Sequence, residues 1–204
     1  ITAELFTSAE ESVEHPWFQS QDVPVLLGVG KLEAQKDFPN LIRAFARVRQ
    51  VRPARLVILG WGPDRPQLEA LIRELELQED VDLPGYVQNP YAYMARSSIF
   101  VLSSAWEGLP TVLIEAMALG IPVVSTNCES GPSEILADGE YGYLTPVGDS
   151  NALAEAILQV LAGKPKTINT AWLNQFRLEV ATDRYLQVLG IQAPVNASLQ
   201  RIPQ

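Results

Sequence analysis

Four charged side chains and the glycines around them carry the chemical content of this sequence. Glu107 and Glu115 stand eight positions apart, on either side of the turn Gly108-Leu109-Pro110. Lys31 and Lys36 stand five apart, just after Gly28-Val29-Gly30. Two ammonium groups beside a glycine-thinned backbone suit a diphosphate, because glycine lets the main chain approach closely and ammonium pairs with phosphate oxygen. Thr111 follows Pro110 and opens an apolar run, which reads as a helix start. A helix start leaves its first amides unpaired and partly positive, so the N–H groups of Thr111 and Val112 favour an anion. Glu115 lies among Leu113, Ile114, Ala116, Met117, Ala118 and Leu119. A carboxylate in such surroundings needs a partner, and a pair of ligand hydroxyls would be one. These features together look built to hold a sugar attached to a phosphate. The plainer account makes Glu107 an exposed loop acid, Glu115 a solvated helix position and both lysines surface charges.

The elements that must position these residues alternate. Strand patterns at 23–29, 55–59, 81–83, 98–102 and 122–126 are separated by helical patterns at 40–50, 66–77, 90–96, 111–119 and 132–137, and a helix at 151–161 closes the regular part. Apolar strands alternating with amphipathic helices imply right-handed βαβ units and a mostly parallel sheet covered on both faces. Ligands in such sheets bind at the carboxyl ends of the strands, where Lys31, Lys36 and Glu107 fall. Further helices are expected near 172–176 and 179–189. Residues 1–23 show no clear periodicity and suit a linker tied to the domain through His15-Pro16-Trp17-Phe18. The tail 190–204 is expected to be disordered.

The other strand-to-helix loops also carry glycine. Gly60-Trp61-Gly62-Pro63 follows the second strand, and Trp61 is either a stacking surface or a lid on the core. Gly85-Tyr86-Val87 follows the third, where a base is readable by backbone groups or Tyr86 packs as an ordinary aromatic. Gly131-Pro132-Ser133-Glu134 opens a helix, with Ser133 or Glu134 available as a cap.

Whole-chain properties narrow the function classes. The 204 residues are 47% hydrophobic, enough for one large α/β domain. A net charge of −9 and a pI near 4.6 argue against nucleic acid or an anionic membrane surface as the main partner. Local lysines still permit a diphosphate, since screening acts over about 8 Å. The single cysteine, Cys128, excludes an internal disulfide and reads as a small buried filler, far in sequence from the only histidine, His15. Zinc-hydrolase, dithiol, P-loop and nucleophile-elbow motifs are lacking, so those chemistries have no support. No run of about 18 apolar residues and no signal-peptide pattern is present. A chain that starts at Ile1 is expected to be part of a longer protein.

Three features, in order and at these spacings, resemble a known family: Val29-Gly30-Lys31-Leu32 followed by Lys36; Glu107-Gly108-Leu109-Pro110 through Glu115-Ala116-Met117; and Gly120-Ile121-Pro122-Val123-Val124-Ser125-Thr126. The chain resembles the C-terminal, donor-binding domain of retaining glycosyltransferases of the two-domain GT-B type, group 1. The resemblance implies one half of a GT-B fold, a Rossmann-like α/β parallel sheet with helices on both faces, with residues 24–189 as the donor domain and 1–23 as interdomain linker. It implies a nucleotide-sugar donor, UDP-glucose or a related UDP-hexose, and a polysaccharide or lipid-linked acceptor. By the same resemblance Lys31, Lys36 and the amides of Thr111 and Val112 hold the diphosphate, with Gly30 beside it. Glu115 takes the ribose hydroxyls, Tyr86 and Val87 lie beside the base, and Gly108, Leu109 and Pro110 bring backbone to the sugar. Glu107 faces the sugar and, with Lys31 and Lys36, forms the catalytic set. Lysine replaces the arginine common at position 31, and leucine the phenylalanine common at 109. No metal or other cofactor is expected. An N-terminal acceptor-binding domain outside these residues completes the enzyme, so the isolated domain would transfer little or nothing. The whole protein is expected in the cytoplasm, at the inner membrane face. Alternatives are a non-catalytic α/β binding module and a nucleotide-sugar epimerase-like or phosphorylase-like enzyme.

Overall fold

The computed structural model describes residues 1–20 and 22–191. Helix α1 (Ala3–Ala9) and a 3-10 turn at Pro16–Phe18 precede strand β1 (Val25–Val29). There follow α2 (Phe38–Val51), β2 (Arg55–Leu59), α3 (Arg65–Glu74), β3 (Val81–Gly85), α4 (Pro90–Arg96) and β4 (Ile99–Leu102). The chain continues through α5 (Thr111–Ala118), β5 (Val123–Thr126), α6 (Pro132–Ile135), β6 (Tyr143–Thr145), α7 (Ser150–Leu161), α8 (Thr170–Leu173) and α9 (Leu178–Val188).

All six strands are parallel, in the order β3-β2-β1-β4-β5-β6. The side-chain alternation of β1 explains the layers: Leu26 joins one core with Leu41, Phe45, Leu68 and Ile157, while Leu27 joins the other with Met94, Phe100, Leu113 and Leu136. Helices α2, α3 and α7 therefore cover one face and α4, α5, α6 and α8 the opposite one. Each fully buried side chain such as Phe45 or Leu41 contributes about 1.5–3 kcal/mol. The strand order reverses between β1 and β4, and successive crossovers there depart to opposite faces. This leaves a crevice at the carboxyl ends of those two strands, the location at which such sheets bind ligands.

The expected alternation holds, with three differences. Residues 3–9 are helical although they show no clear period, because Leu5 is buried and the segment is anchored to α4. Asn89 donates to the Ser8 carbonyl at 2.8 Å, and Arg96 to the Ala9 carbonyl at 3.0 Å. The anticipated aromatic anchor is also present, with Phe18 edge-on to Tyr93 and His15 Nε2 2.8 Å from Asp82. Strand β6 has no counterpart in the sequence reading; it is three residues long and follows the glycines at 139 and 142. Neither Ser133 nor Glu134 caps α6, whose N-cap is Gly131 at φ 89°. Of the tail expected at 190–204, all but Gly190 and Ile191 lies outside the described residues.

Candidate functional site

Three glycines lace the carboxyl-end loops together. The Gly60 amide donates to the Gly85 carbonyl at 2.9 Å, and the Gly30 amide to the Leu59 carbonyl at 3.0 Å. A Cβ on Gly60, at φ +143°, would stand 1.8 Å from the Gly30 carbonyl oxygen. The space that glycine leaves here is filled by a neighbouring loop. The loops after β1, β2 and β3 thus form one rigid wall rather than three flexible arms.

The crevice itself is closed by an ion pair between the loops after β1 and β4. Lys36 Nζ donates to Glu107 Oε1 at 2.5 Å. Their side chains are only 16% and 7% exposed. Buried Ser104 donates to the same carboxylate oxygen at 2.7 Å. Ser103 Oγ holds the Lys36 carbonyl at 2.7 Å, Gln35 Nε2 holds the Trp106 carbonyl at 3.1 Å and Ser130 Oγ holds the Glu107 carbonyl at 2.9 Å. Asp37 follows Lys36 in the left-handed region at φ 43° and caps α2 by accepting from the Asn40 amide at 3.3 Å. This reversal ends the short 3-10 turn at Ala34–Lys36 and starts the helix. Glu107 is therefore no exposed loop acid, and Lys36 is neither a surface charge nor an unpaired ammonium group, which corrects the plainer account for both residues. Lys31 is the freer of the two, with its side chain 62% exposed and 4.0 Å from Glu33.

Helix α5 begins at Thr111, as expected, and its N-cap residue Pro110 supplies no side-chain hydrogen bond. The first-turn amides of Thr111 and Val112 thus keep their affinity for an anion. Pro110 is packed against Gly131, where a Cβ would come within 2.5 Å of the proline ring and 2.7 Å of the Gly108 carbonyl oxygen. Gly108 itself has open space around it, and Leu109 is exposed.

Glu115 is half-buried on α5, and its carboxylate lies 3.5 Å from the Tyr91 hydroxyl at the start of α4. Burial pushes its pKa above the ordinary 4.5, against a smaller lowering by the Tyr91 hydrogen bond. The Tyr91 phenol is raised in turn, by burial first and then by Glu115. Cys128 is buried as expected, and burial followed by the nearby Glu107 charge raises its thiol pKa.

A cleft of about 240 Å³ lies at the carboxyl ends of β1, β2 and β3, lined by the β1 loop at Val29, Gly30 and Lys31, the β2 loop at Leu59 to Trp61, and by Tyr86, Val87 and Pro90. Lys36 borders it through Gly30, where a Cβ would meet the lysine stem at 2.9 Å. Every residue named for the donor site belongs to the carboxyl-end loops or to the first two turns of α5. Ser104 and Tyr91 were not foreseen. Two serines closing an apolar strand were the available signal for the first, whereas nothing local marks Tyr91. Among the described residues no group of three or more His, Cys, Asp or Glu side chains is placed to hold a metal ion, and no helix is long and apolar enough to cross a membrane.

Comparison with known proteins gives the family. The model of glycosyl transferases group 1 matches residues 11–171. The lipopolysaccharide core biosynthesis glycosyltransferase LpsE of Rhizobium meliloti is 36% identical over 175 residues, which are 83% of this chain and 50% of that protein. The N-acetylgalactosamine-N,N'-diacetylbacillosaminyl-diphospho-undecaprenol 4-alpha-N-acetylgalactosaminyltransferase of Campylobacter jejuni is 41% identical over 136 residues, covering 67% of this chain and 37% of that protein. Among solved structures, Anabaena HepE in complex with UDP and glucose superposes with a TM-score of 0.71 at 26% identity, over 83% of this chain and 48% of that one. The chain spans half or less of the length of these relatives. On the family model and these relatives, the chain belongs to the glycosyl transferases of group 1.

Proposed function

We propose that residues 24–189 form the C-terminal, donor-binding half of a retaining hexosyltransferase that takes a UDP-hexose, UDP-glucose first among them. Residues 1–23 then serve as the linker to an N-terminal acceptor-binding domain. The observation that carries this reading is the Lys36–Glu107 pair across the β1/β4 crevice, next to the uncapped start of α5. The diphosphate sits at the Thr111 and Val112 amides, with Lys31 and Lys36 neutralising the charge that grows as the sugar–phosphate bond breaks. The nucleoside diphosphate leaves with the bonding electrons, and the acceptor oxygen bonds to the anomeric carbon on the same face. The acceptor's proton passes to the departing phosphate oxygen. Both hydrogen bonds to the Glu107 carboxylate reach Oε1, which leaves Oε2 for a sugar hydroxyl and for the positive charge developing on the ring. Glu115 takes the ribose hydroxyls, which relieves the cost of its burial. No divalent metal is required for this division of labour.

HepE supports the choice of UDP and glucose, since its solved structure holds both. LpsE and the Campylobacter jejuni transferase support a polysaccharide or lipid-linked acceptor. Calorimetric titration tests the donor reading. UDP is expected to bind in the micromolar to millimolar range, and its 2′-deoxy analogue more weakly because Glu115 loses one hydroxyl. Absence of binding by any nucleotide would favour a non-catalytic module instead.

A further inference from the structure

The cleft beside Lys31 has an unusual wall. Of its lining side chains, only Lys31, Tyr86 and Trp61 carry a polar atom, and none is an amide, a carboxylate or an aliphatic hydroxyl. From sequence, Trp61 is either a stacking surface or a lid on the core. The indole is 61% exposed and Tyr86 is 72% exposed, so neither ring is part of the core. No aromatic pair among the described residues includes either ring, so their faces are not spent on a neighbour. Both are held on stiff backbone. The Trp61 carbonyl accepts from the Leu32 amide at 2.9 Å, and Trp61 lies between Gly60 and Gly62, whose Cβ atoms would strike Gly30 and Leu32 backbone. Tyr86 follows Gly85, whose carbonyl holds Gly60.

Resting on the donor reading above, we propose that Trp61 is a base-binding residue: with Tyr86 it grips the flat face of the nucleobase by stacking, which holds every base with little preference among them. Side-chain recognition of a base edge needs paired donors and acceptors at fixed positions, as an amide or carboxylate supplies. This cleft offers none from its side chains. A π-face is common to every base, so stacking gives affinity with little sequence preference. A leucine or valine wall adds burial without adding choice.

Calorimetry with UDP, GDP, ADP and inorganic pyrophosphate separates the parts, using the wild-type protein, Trp61→Ala and Trp61→Phe. The three nucleotides are expected to bind wild type within about tenfold of one another. Trp61→Ala is expected to weaken all three by about 5- to 150-fold while leaving pyrophosphate unchanged. Trp61→Phe keeps a π-face and restores most of the affinity. The indole is exposed, so the substitutions leave the core intact. A preference for one base beyond about tenfold, or UDP affinity unaltered in Trp61→Ala, overturns the proposal while leaving the donor reading in place. Failure of every nucleotide to bind the wild type removes both.

Discussion

Two carboxylates of this molecule are held by basic side chains at opposite ends of the sheet, one by two arginines and the other by a lysine with a serine. Near the amino ends of the strands, Asp80 accepts from Arg49 at 2.7 Å on Oδ2 and from Arg55 at 2.7 Å on Oδ1. The Arg55 guanidinium also stacks over Trp17 at 4.9 Å. At the carboxyl ends Glu107 meets one lysine and one serine, both on Oε1. The distances are similar but the unspent capacity is not. Asp80 has both oxygens engaged by planar arginine forks, whereas Glu107 has both its hydrogen bonds on Oε1 and stands at the β1/β4 crevice before an uncapped helix. An ion cluster that saturates its acceptors ties segments together; one that leaves an acceptor open beside a ligand space is equipped for chemistry.

Mutations at the two clusters should therefore separate cleanly. In the full-length enzyme, Glu107→Gln is expected to lower turnover by about 10²- to 10³-fold, and Asp80→Asn to leave it unchanged. Equal losses in steady-state assays would erase the distinction. Lys36→Ala strands a buried carboxylate and should cost about 3 kcal/mol, a fall of roughly 6–12 °C in Tm by calorimetry. Asp80→Ala should cost about 1–2 kcal/mol, because its arginines are partly exposed and can turn to water.

Glu115 sharpens the contrast further, being a half-buried carboxylate with no ion pair among the described residues. Glu115→Gln is expected to weaken UDP binding by about tenfold or more without lowering Tm at neutral pH. A collapse in Tm would instead mark Glu115 as a structural group. Its pH behaviour has a definite sign. Because burial raises the folded-state pKa above 4.5, the folded chain holds its proton more tightly than the unfolded chain. Relative to Glu115→Gln, the stability present below pH 4.5 is lost as pH rises through the raised value. Ribose hydroxyls bind the ionised form, so UDP affinity should rise across that same window and binding should release a proton. Heats measured in buffers of different ionisation enthalpy would reveal that proton, and UDP affinity that falls across the window would contradict the assignment. The smallest effect is expected from Tyr91→Phe, about 0.5–1 kcal/mol in UDP affinity, since its contact with Glu115 is long.

The alternation of strands and helices was legible because each is a local pattern: Pro90–Arg96 has its cap at Asn89 and proline at the first turn, and Thr111–Ala118 starts right after Pro110. Strand β6 was not, since three residues among turn glycines carry too little period. The site was legible as a set of loops but not as a set of bonds. Lys36 and Glu107 are 71 positions apart, and no sequence pattern tells that the ammonium group turns inward to the carboxylate while Lys31 stays in water. The same holds for Tyr91 and Glu115, joined only when α4 and α5 pack side by side.

Backbone amide NMR during a UDP titration tests the assignment of function to the carboxyl end most directly. Shifts are expected at Gly30, Trp61, Val87, Thr111 and Val112, with the amides of Arg49, Arg55 and Asp80 unmoved. Shifts centred on the Asp80 cluster, or a spectrum unchanged by saturating UDP, would contradict it.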